Sequence, residues 1–263
     1  MAVPTLRTSD WGLVGLGVVT GILAGLLGVG GGIVMVPALV WMGFDRHHAN
    51  ATSLTVILVT ALAGMFGFAA ASALNVPVGI ALGLGGIGGA TLGARWANRL
   101  STVALARIFG VLLLVTGIQM LLGADQLAAL TALEPPWTLL LALVVGALTG
   151  IVSGLAGVGG GVVMVPAMVL LLGLDQHTAE GTSLLAMCFT AAAATRVNLS
   201  NGLVRWRSVL LVAAGGVALA PISATFAQKI PADTLARIFA IWLLFIAVRT
   251  LAGTRPRPGS TSD

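Results

Sequence analysis

Two glycine-rich segments hold the residues of this chain that are best suited to bind a ligand. Each has the form GVGGG and precedes a proline, Pro37 in one case and Pro166 in the other. Glycine lets a ligand approach the backbone closely, and a helix that starts there exposes unpaired N–H groups and the positive end of its dipole. Both features suit an anion. The candidate anion-binding glycines are Gly28, Gly30, Gly31, Gly32, Gly157, Gly159, Gly160 and Gly161.

A structural role is the alternative for these glycines, because small residues also let two helices cross closely. The duplication, at a matched proline spacing, favours a ligand site over packing alone. Hydroxyl and amide side chains that could donate to anion oxygens follow each segment. They are Asn50, Thr52 and Ser53 in the first half, and Thr182 and Ser183 in the second. The alternative for these five is N-capping of a helix at a loop.

Further polar residues have a functional and a plain interpretation. Arg95 and Arg196 lie at the ends of apolar runs, where they could attract an anion or extend towards lipid headgroups. Glu180 stands where the first half has Asn50, so it could couple transport to protons or be a simple loop carboxylate. The equivalent histidines His47 and His177 are expected at a membrane interface.

Patterns typical of enzymes and of nucleic-acid-binding proteins are absent from the sequence. Metal sites need clustered His, Cys, Asp or Glu, whereas this chain has three histidines and one cysteine. GVGGG lacks the lysine of a phosphate-binding loop, and the cations are scattered between apolar runs. We therefore predict no catalytic residue, metal or cofactor, and no nucleic-acid partner. Cys188 is predicted to be a small buried apolar residue.

The composition indicates which elements must position these residues. Hydrophobic residues make up 58% of the 263 residues and charged residues only 8%, against about 25% charged in soluble domains. Several apolar runs reach the ~20 residues that a spanning helix needs. The sequence therefore predicts an all-α integral membrane protein.

The chain also repeats itself. Residues 25–38 match residues 154–167 at an offset of 129, and LARIF recurs at 105–109 and 235–239. We predict a first repeat at 1–128, a second at 129–253, and a disordered polar tail at 254–263. Each half contains one glycine-interrupted apolar stretch and three plainer runs. This pattern predicts a glycine-broken helical hairpin plus three transmembrane helices in each half.

The interrupted stretch determines the topology. As a single helix, residues 12–43 would be about 48 Å long, against ~30 Å for the hydrocarbon core, so a fold-back at the glycines is favoured. If each stretch crosses once, the 13 cations divide seven against six; if each turns back, they divide eleven against two, with Lys229 and Arg237 in the minority. The positive-inside rule favours the second arrangement. It predicts inverted repeats in the inner membrane with both termini in the cytoplasm.

The doubled motif GLLGVGGGIVMVPAL and GLAGVGGGVVMVPAM, each followed by A-x-x-TSL, resembles the sulfite exporter TauE/SafE family of membrane permeases. The similarity covers roughly residues 12–252. Members of this family are described as exporters or permeases of sulfite, sulfoacetate and other organosulfur anions, so the resemblance implies a secondary transporter of such an anion. Family members are usually described with seven or eight spans, a count from which the hairpin topology departs.

Two other functions stay open at this point. A cation or metal transporter would need carboxylates or thiols within the membrane, and a non-transporting scaffold would need an interaction domain. The partners expected are a small anionic substrate, membrane lipid and a coupling ion, H⁺ or Na⁺. A homodimer is also open.

Overall fold

The computed structural model describes residues 9–96, 102–122 and 136–252, which form ten α-helices and, within those ranges, no strand. The predicted all-helical fold is confirmed. The first half contributes α1 (Asp10–Leu27), α2 (Gly32–Trp41), α3 (Arg46–Ala70), α4 (Val76–Trp96) and α5 (Thr102–Leu122). The second half contributes α6 (Trp137–Ala156), α7 (Gly161–Leu172), α8 (Gln176–Ser200), α9 (Trp206–Ala227) and α10 (Ala232–Ala252).

Six of these helices are long and apolar enough to cross a membrane: α1, α3, α4, α6, α9 and α10. By contrast, α2 and α7 have only 10 and 12 residues. At 1.5 Å per residue they are about 15 and 18 Å long, too short for a hydrocarbon core of ~30 Å. The chain is thus a multi-pass membrane protein in which each half contains one short helix.

The short helix of the first half folds back along α1. The helix α1 ends at Gly28, and α2 begins four residues later. A β-carbon added at Gly31 would lie 2.6 Å from Cβ of Thr20, and one added at Gly12 would lie 3.2 Å from Cε of Met42. The two helices therefore run in opposite directions, and the stretch is a glycine-broken hairpin.

The second half repeats this hairpin. The helix α6 ends at Gly157, and α7 begins at Gly161. A β-carbon added at Gly160 would lie 3.5 Å from the carbonyl oxygen of Thr149, the residue equivalent to Thr20. The hairpin core of the repeat is thus the same in both halves.

Helices from different halves pack closely through small residues. A β-carbon at Gly17 of α1 would collide with the backbone of Val212 in α9, and one at Gly21 would lie 2.5 Å from the carbonyl oxygen of Gly216. The helices α4 and α6 meet in the same manner, since a β-carbon at Gly85 would collide with the carbonyl of Leu143. Both pairs run parallel, with backbones in direct contact, as in other membrane proteins.

Two pairs of equivalent helices run in opposite directions. Gly64 of α3 faces Leu184 of α8, whereas Gly181 at the start of α8 faces Phe68 near the end of α3. The helices α5 and α10 are also antiparallel, because Gly110 approaches Leu251 and Gly117 approaches Leu244. Each of these two pairs of equivalent helices is therefore antiparallel.

The course of the helices places most of the described cations at one end of the bundle. That end carries Arg46, Arg95, Arg107, Arg196, Arg205, Arg207 and Arg249, and the opposite end carries Lys229 and Arg237. Asp10 and Arg207 form an ion pair at the first end, with 2.9 Å between Oδ2 and Nη2. The predicted boundary at 128/129, the predicted tail at 254–263, and Arg7, Arg99, Arg255 and Arg257 lie outside the described residues.

Candidate functional site

The two glycine turns, residues 28–32 and 157–161, contact each other in the interior of the bundle. A β-carbon at Gly161 would lie 2.7 Å from the carbonyl oxygen of Gly28, and one at Gly32 would lie 2.8 Å from the carbonyl oxygen of Val158. Neither position can hold a larger residue without displacing backbone. The structure therefore brings together the eight glycines proposed from the sequence.

Each glycine turn ends where a helix begins. Gly31 and Gly160 are the N-caps of α2 and α7, with φ of 71° and 86°, and neither helix receives a side-chain hydrogen bond at its cap. The first N–H groups of a helix have no partner within the helix, and the dipole adds positive potential there. Two such helix starts lie side by side, which makes this region suitable for an anion.

The predicted serines connect the halves. Oγ of Ser53 donates to the carbonyl oxygen of Gly157 at 3.2 Å, and Oγ of Ser183 donates to the carbonyl oxygen of Gly28. Both serines are fully buried. Each serine therefore ties its own half to the glycine turn of the other half. The hydroxyls already have acceptors in this conformation.

Of the other predicted polar residues, only Asn50 is placed against a glycine turn. The side-chain amide of Asn50 fills the space beside Gly157, where a β-carbon would collide with its Oδ1. Oγ1 of Thr182 instead accepts a hydrogen bond from the Asn75 N–H at 2.9 Å, so it faces the loop between α3 and α4. Thr52 is buried with no partner for its hydroxyl. The structure therefore places Asn50 and the two serines against the glycine turns, but not Thr182.

Two aspartates provide the helix caps that were the alternative role for these residues. Asp45 caps α3 and accepts from the His47 N–H, and Asp175 caps α8 and accepts from the Thr178 N–H. None of the five predicted residues, Asn50, Thr52, Ser53, Thr182 and Ser183, is therefore the N-cap of α3 or α8.

Sequence analysis missed two apolar residues that close the contact between the glycine turns. A β-carbon at Gly30 would lie 3.0 Å from both Ile57 and Met187, and one at Gly159 would lie 3.1 Å from Ile57 and 3.3 Å from Met187. Ile57 and Met187 are equivalent in the repeat, and each lies one helical turn after a TSL serine. That spacing puts them on the same helix face as the serines, a signal that the repeat contained.

A buried hydroxyl beside the second glycine turn was also missed as part of the site. Ser153 of α6 is fully buried, and its Oγ has no hydrogen-bond partner. Its Cβ lies 3.4 Å from a β-carbon added at Gly160. The first half has Ala24 at this position, so comparison of the repeats could have found it. A buried donor without an acceptor is unfavourable unless a ligand supplies one.

Glu180 is not the loop carboxylate that was the alternative for it. It lies in α8, is fully buried, and contacts Gly28 through its backbone and Cβ. His177 is half-buried, with Nε2 3.1 Å from the carbonyl oxygen of Ile230, and His47 is exposed.

The two arginines singled out from the sequence share a groove on the outside of the bundle. Arg95 and Arg196 are exposed and line a groove of about 710 Å³ between α4 and α8. Its remaining lining is largely apolar and includes Ile87 and Phe189. Cys188, predicted to be buried, is half-buried and also lines this groove. These residues are separate from the contact between the glycine turns.

A family model described as sulfite exporter TauE/SafE matches residues 3–120 and 141–262, and so covers both halves. The chain belongs to the sulfite exporter TauE/SafE family. Similar proteins include the probable membrane transporter protein YunE of Bacillus subtilis, 25% identical over 91% of this chain and 96% of the relative. A probable membrane transporter protein of Xylella fastidiosa is 29% identical over 89% of this chain and 92% of the relative. This TauE/SafE-family chain is a membrane transporter, and its relatives are named for transport.

Proposed function

We propose that this protein is a secondary transporter of a small anion, sulfite or an organosulfonate, bound where the two glycine turns meet. The observation that carries the proposal is that α2 and α7 begin side by side there, with no side-chain cap at either helix start. The family description names sulfite, which supports an oxyanion substrate. Unpaired backbone N–H groups can bind such an anion without a buried cation.

Transport requires the contact between the turns to open. Ile57 and Met187 cover both turns in the present conformation. We propose that one hairpin moves with its half against the other, and that this exposes the helix starts to each side of the membrane in turn. The unbranched thioether side chain of Met187 can adopt new rotamers as the contact changes.

We also propose an orientation in the inner membrane, with the halves as inverted repeats and both termini in the cytoplasm. The reversed course of α8 relative to α3 supports the inversion, and the seven described arginines at one end support its cytoplasmic assignment. Gly202, exposed in the loop before Arg205, tests this orientation. A cysteine at position 202 in a Cys188→Ser background should react with impermeant reagents in inverted vesicles only; reaction in intact cells contradicts the orientation.

Flux into proteoliposomes tests the site. Purified protein should give saturable uptake of labelled sulfite or of isethionate, a monovalent sulfonate. Ser153→Ala removes a buried hydroxyl without an acceptor, so it should leave thermal stability unchanged or raised. The variant should raise KM about three- to tenfold, because one neutral hydrogen bond contributes about 0.5–1.5 kcal/mol.

The matched control is Thr149→Val on the same helix, because the Thr149 hydroxyl already donates to carbonyls of its own helix. This variant should keep the wild-type KM. Two results contradict the proposal: no saturable flux of either anion, or equal KM values for wild type, Ser153→Ala and Thr149→Val.

A further inference from the structure

The buried carboxyl group of Glu180 lacks a hydrogen-bond donor that one added proton would supply. The residue is 0% exposed, and its Oε1 accepts from Nε2 of Gln176 at 2.6 Å. Its Oε2 and Oε1 of Gln176 have no partner. Both oxygens are acceptors, so what this pair lacks is a donor. Buried polar atoms without partners are rare and need an explanation.

The backbone of Glu180 contacts the first glycine turn. A β-carbon at Gly28 would lie 2.6 Å from both Cα and the carbonyl oxygen of Glu180, so the backbones are already in contact. Ser183, one helical turn further along α8, donates both to the carbonyl of Gly28 and to the carbonyl of Glu180 at 2.9 Å. A change at Glu180 therefore acts directly on the segment where α2 begins.

The equivalent position in the other half cannot titrate. Asn50 places a neutral amide against Gly157, whereas Glu180 meets Gly28 through its backbone and Cβ. The protein thus has one ionisable group at an otherwise duplicated contact. A protonated Glu180 is neutral like Asn50, whereas an ionised Glu180 adds one negative charge beside the proposed anion site.

No cation within the described residues pairs with Glu180. Asp175, the N-cap of the same helix, repels an ionised Glu180 because it carries a like charge. His177 is hydrogen-bonded to the carbonyl oxygen of Ile230. The loop and helix packed at this end carry Lys229, Asp233 and Arg237. Gly28 and residues 68–73, at the end of α3 and in the loop after it, carry no titratable side chain. An ionised carboxylate buried without a cation is costly.

We propose that Glu180 is a proton-binding site that couples anion transport to the proton gradient. Binding adds one H⁺ to Oε2, removes one negative charge and supplies the missing donor. Because the anion then meets no carboxylate charge, each ligand favours binding of the other, and by linkage the effect is reciprocal. This inference rests on the proposed anion transport, and it adds the coupling ion and the residue that carries it.

Infrared titration of the reconstituted protein tests the proton site without any anion. Besides the bands of the other carboxyl groups, wild type should show one carboxylic-acid C=O band that titrates with pH and is missing in Glu180→Gln. Asp45→Asn is the matched control, because Asp45 holds the equivalent N-terminal end of α3 but is exposed. This variant, which keeps a good cap residue, should retain the band.

Isethionate flux tests the coupling. With one proton per monovalent anion, an inward gradient of one pH unit should sustain about tenfold accumulation in wild type and in Asp45→Asn, since a factor of ten corresponds to 1.4 kcal/mol. Glu180→Gln should lose accumulation but retain exchange of labelled for unlabelled isethionate.

Two results overturn the inference: identical titrating bands in wild type and Glu180→Gln, or accumulation driven by a Na⁺ gradient and not by pH. If Glu180→Gln does not fold, a lack of pH-driven accumulation in wild type still overturns the inference. Absence of any anion flux in wild type contradicts both the proposed function and the proton coupling. Anion flux that does not depend on the pH gradient contradicts only the proton coupling.

Discussion

The two glycine turns have the same backbone path but different neighbours. Gly28 and Gly157 end equivalent helices with φ of 64° and 70°. Gly28 lies against the backbone of Glu180, whereas Gly157 lies against the end of the Asn50 side chain. The shared left-handed glycines maintain the hairpins, and the residue that differs between the turns is ionisable in one case and neutral in the other. Duplication therefore accounts for the architecture, and divergence of single residues accounts for the chemistry at each turn.

A second difference has the same character. Ser153 adds an unpartnered hydroxyl beside the second turn, where the first half has Ala24. Ser153 and Glu180 both belong to the second half, but Ser153 lies beside the second turn and Glu180 beside the first. The equivalent residues of the first half are Ala24 and Asn50, which carry no hydroxyl and no ionisable group. Substitutions that compare the two turns can separate packing from charge.

Alanine substitutions at Gly28 and Gly157 should give the largest effect on stability. Both introduce a left-handed non-glycine residue, at about 1–2 kcal/mol. At Gly28 the new β-carbon meets backbone that cannot rotate away, which adds about 1–3 kcal/mol of overpacking. At Gly157 it meets an amide that can turn aside. The apparent Tm in detergent should therefore fall further for Gly28→Ala than for Gly157→Ala.

Gly202→Ala is the matched control for these two variants. Gly202 has φ of 67° and no atom within 4 Å of an added β-carbon, so it isolates the backbone cost. The expected order of Tm loss is Gly28→Ala, then Gly157→Ala, then Gly202→Ala. A Gly157→Ala protein that melts at or below the temperature of Gly28→Ala contradicts the difference inferred between the turns.

The hairpins could be predicted from the sequence because their signals are local and occur twice. The glycine runs, the length of residues 12–43 and the repeat all indicate a break, and the structure has one at Gly28 and at Gly157. Which side chains face the turns was less predictable. Thr182 and Ser183 are adjacent but point to different elements, since a helix rotates about 100° per residue.

A charge added at Asn50 should have an intermediate effect. Asn50→Asp is nearly isosteric and puts a carboxylate against Gly157. If the anion binds between the turns, repulsion should raise KM about tenfold, equivalent to about 1.4 kcal/mol, with a smaller change in kcat. Asn201→Asp adds the same charge at the exposed end of α8 and should leave KM unchanged. Equal KM values for the two variants would contradict anion binding between the turns.

The smallest effects are expected from the two serines that tie the halves together. Ser53→Ala and Ser183→Ala each remove one donor to a glycine carbonyl of the other half. Each should lower stability by about 1 kcal/mol, and the two losses should be similar. Ser200→Ala is the control, because that exposed hydroxyl donates only to Val197 of its own helix.

The double variant decides whether the two turns act as one unit. The acceptors of Ser53 and Ser183 are Gly157 and Gly28, and the turns that contain them are in direct contact. Residues that share a packed contact couple by about 0.5–3 kcal/mol, whereas independent sites add. If the turns act as one unit, either single variant already weakens the shared contact, so a Ser53→Ala, Ser183→Ala protein should lose less stability than the sum of the single losses. Strict additivity in thermal melts would mean that each turn holds its position independently, and joint opening of the contact would then lack its structural basis.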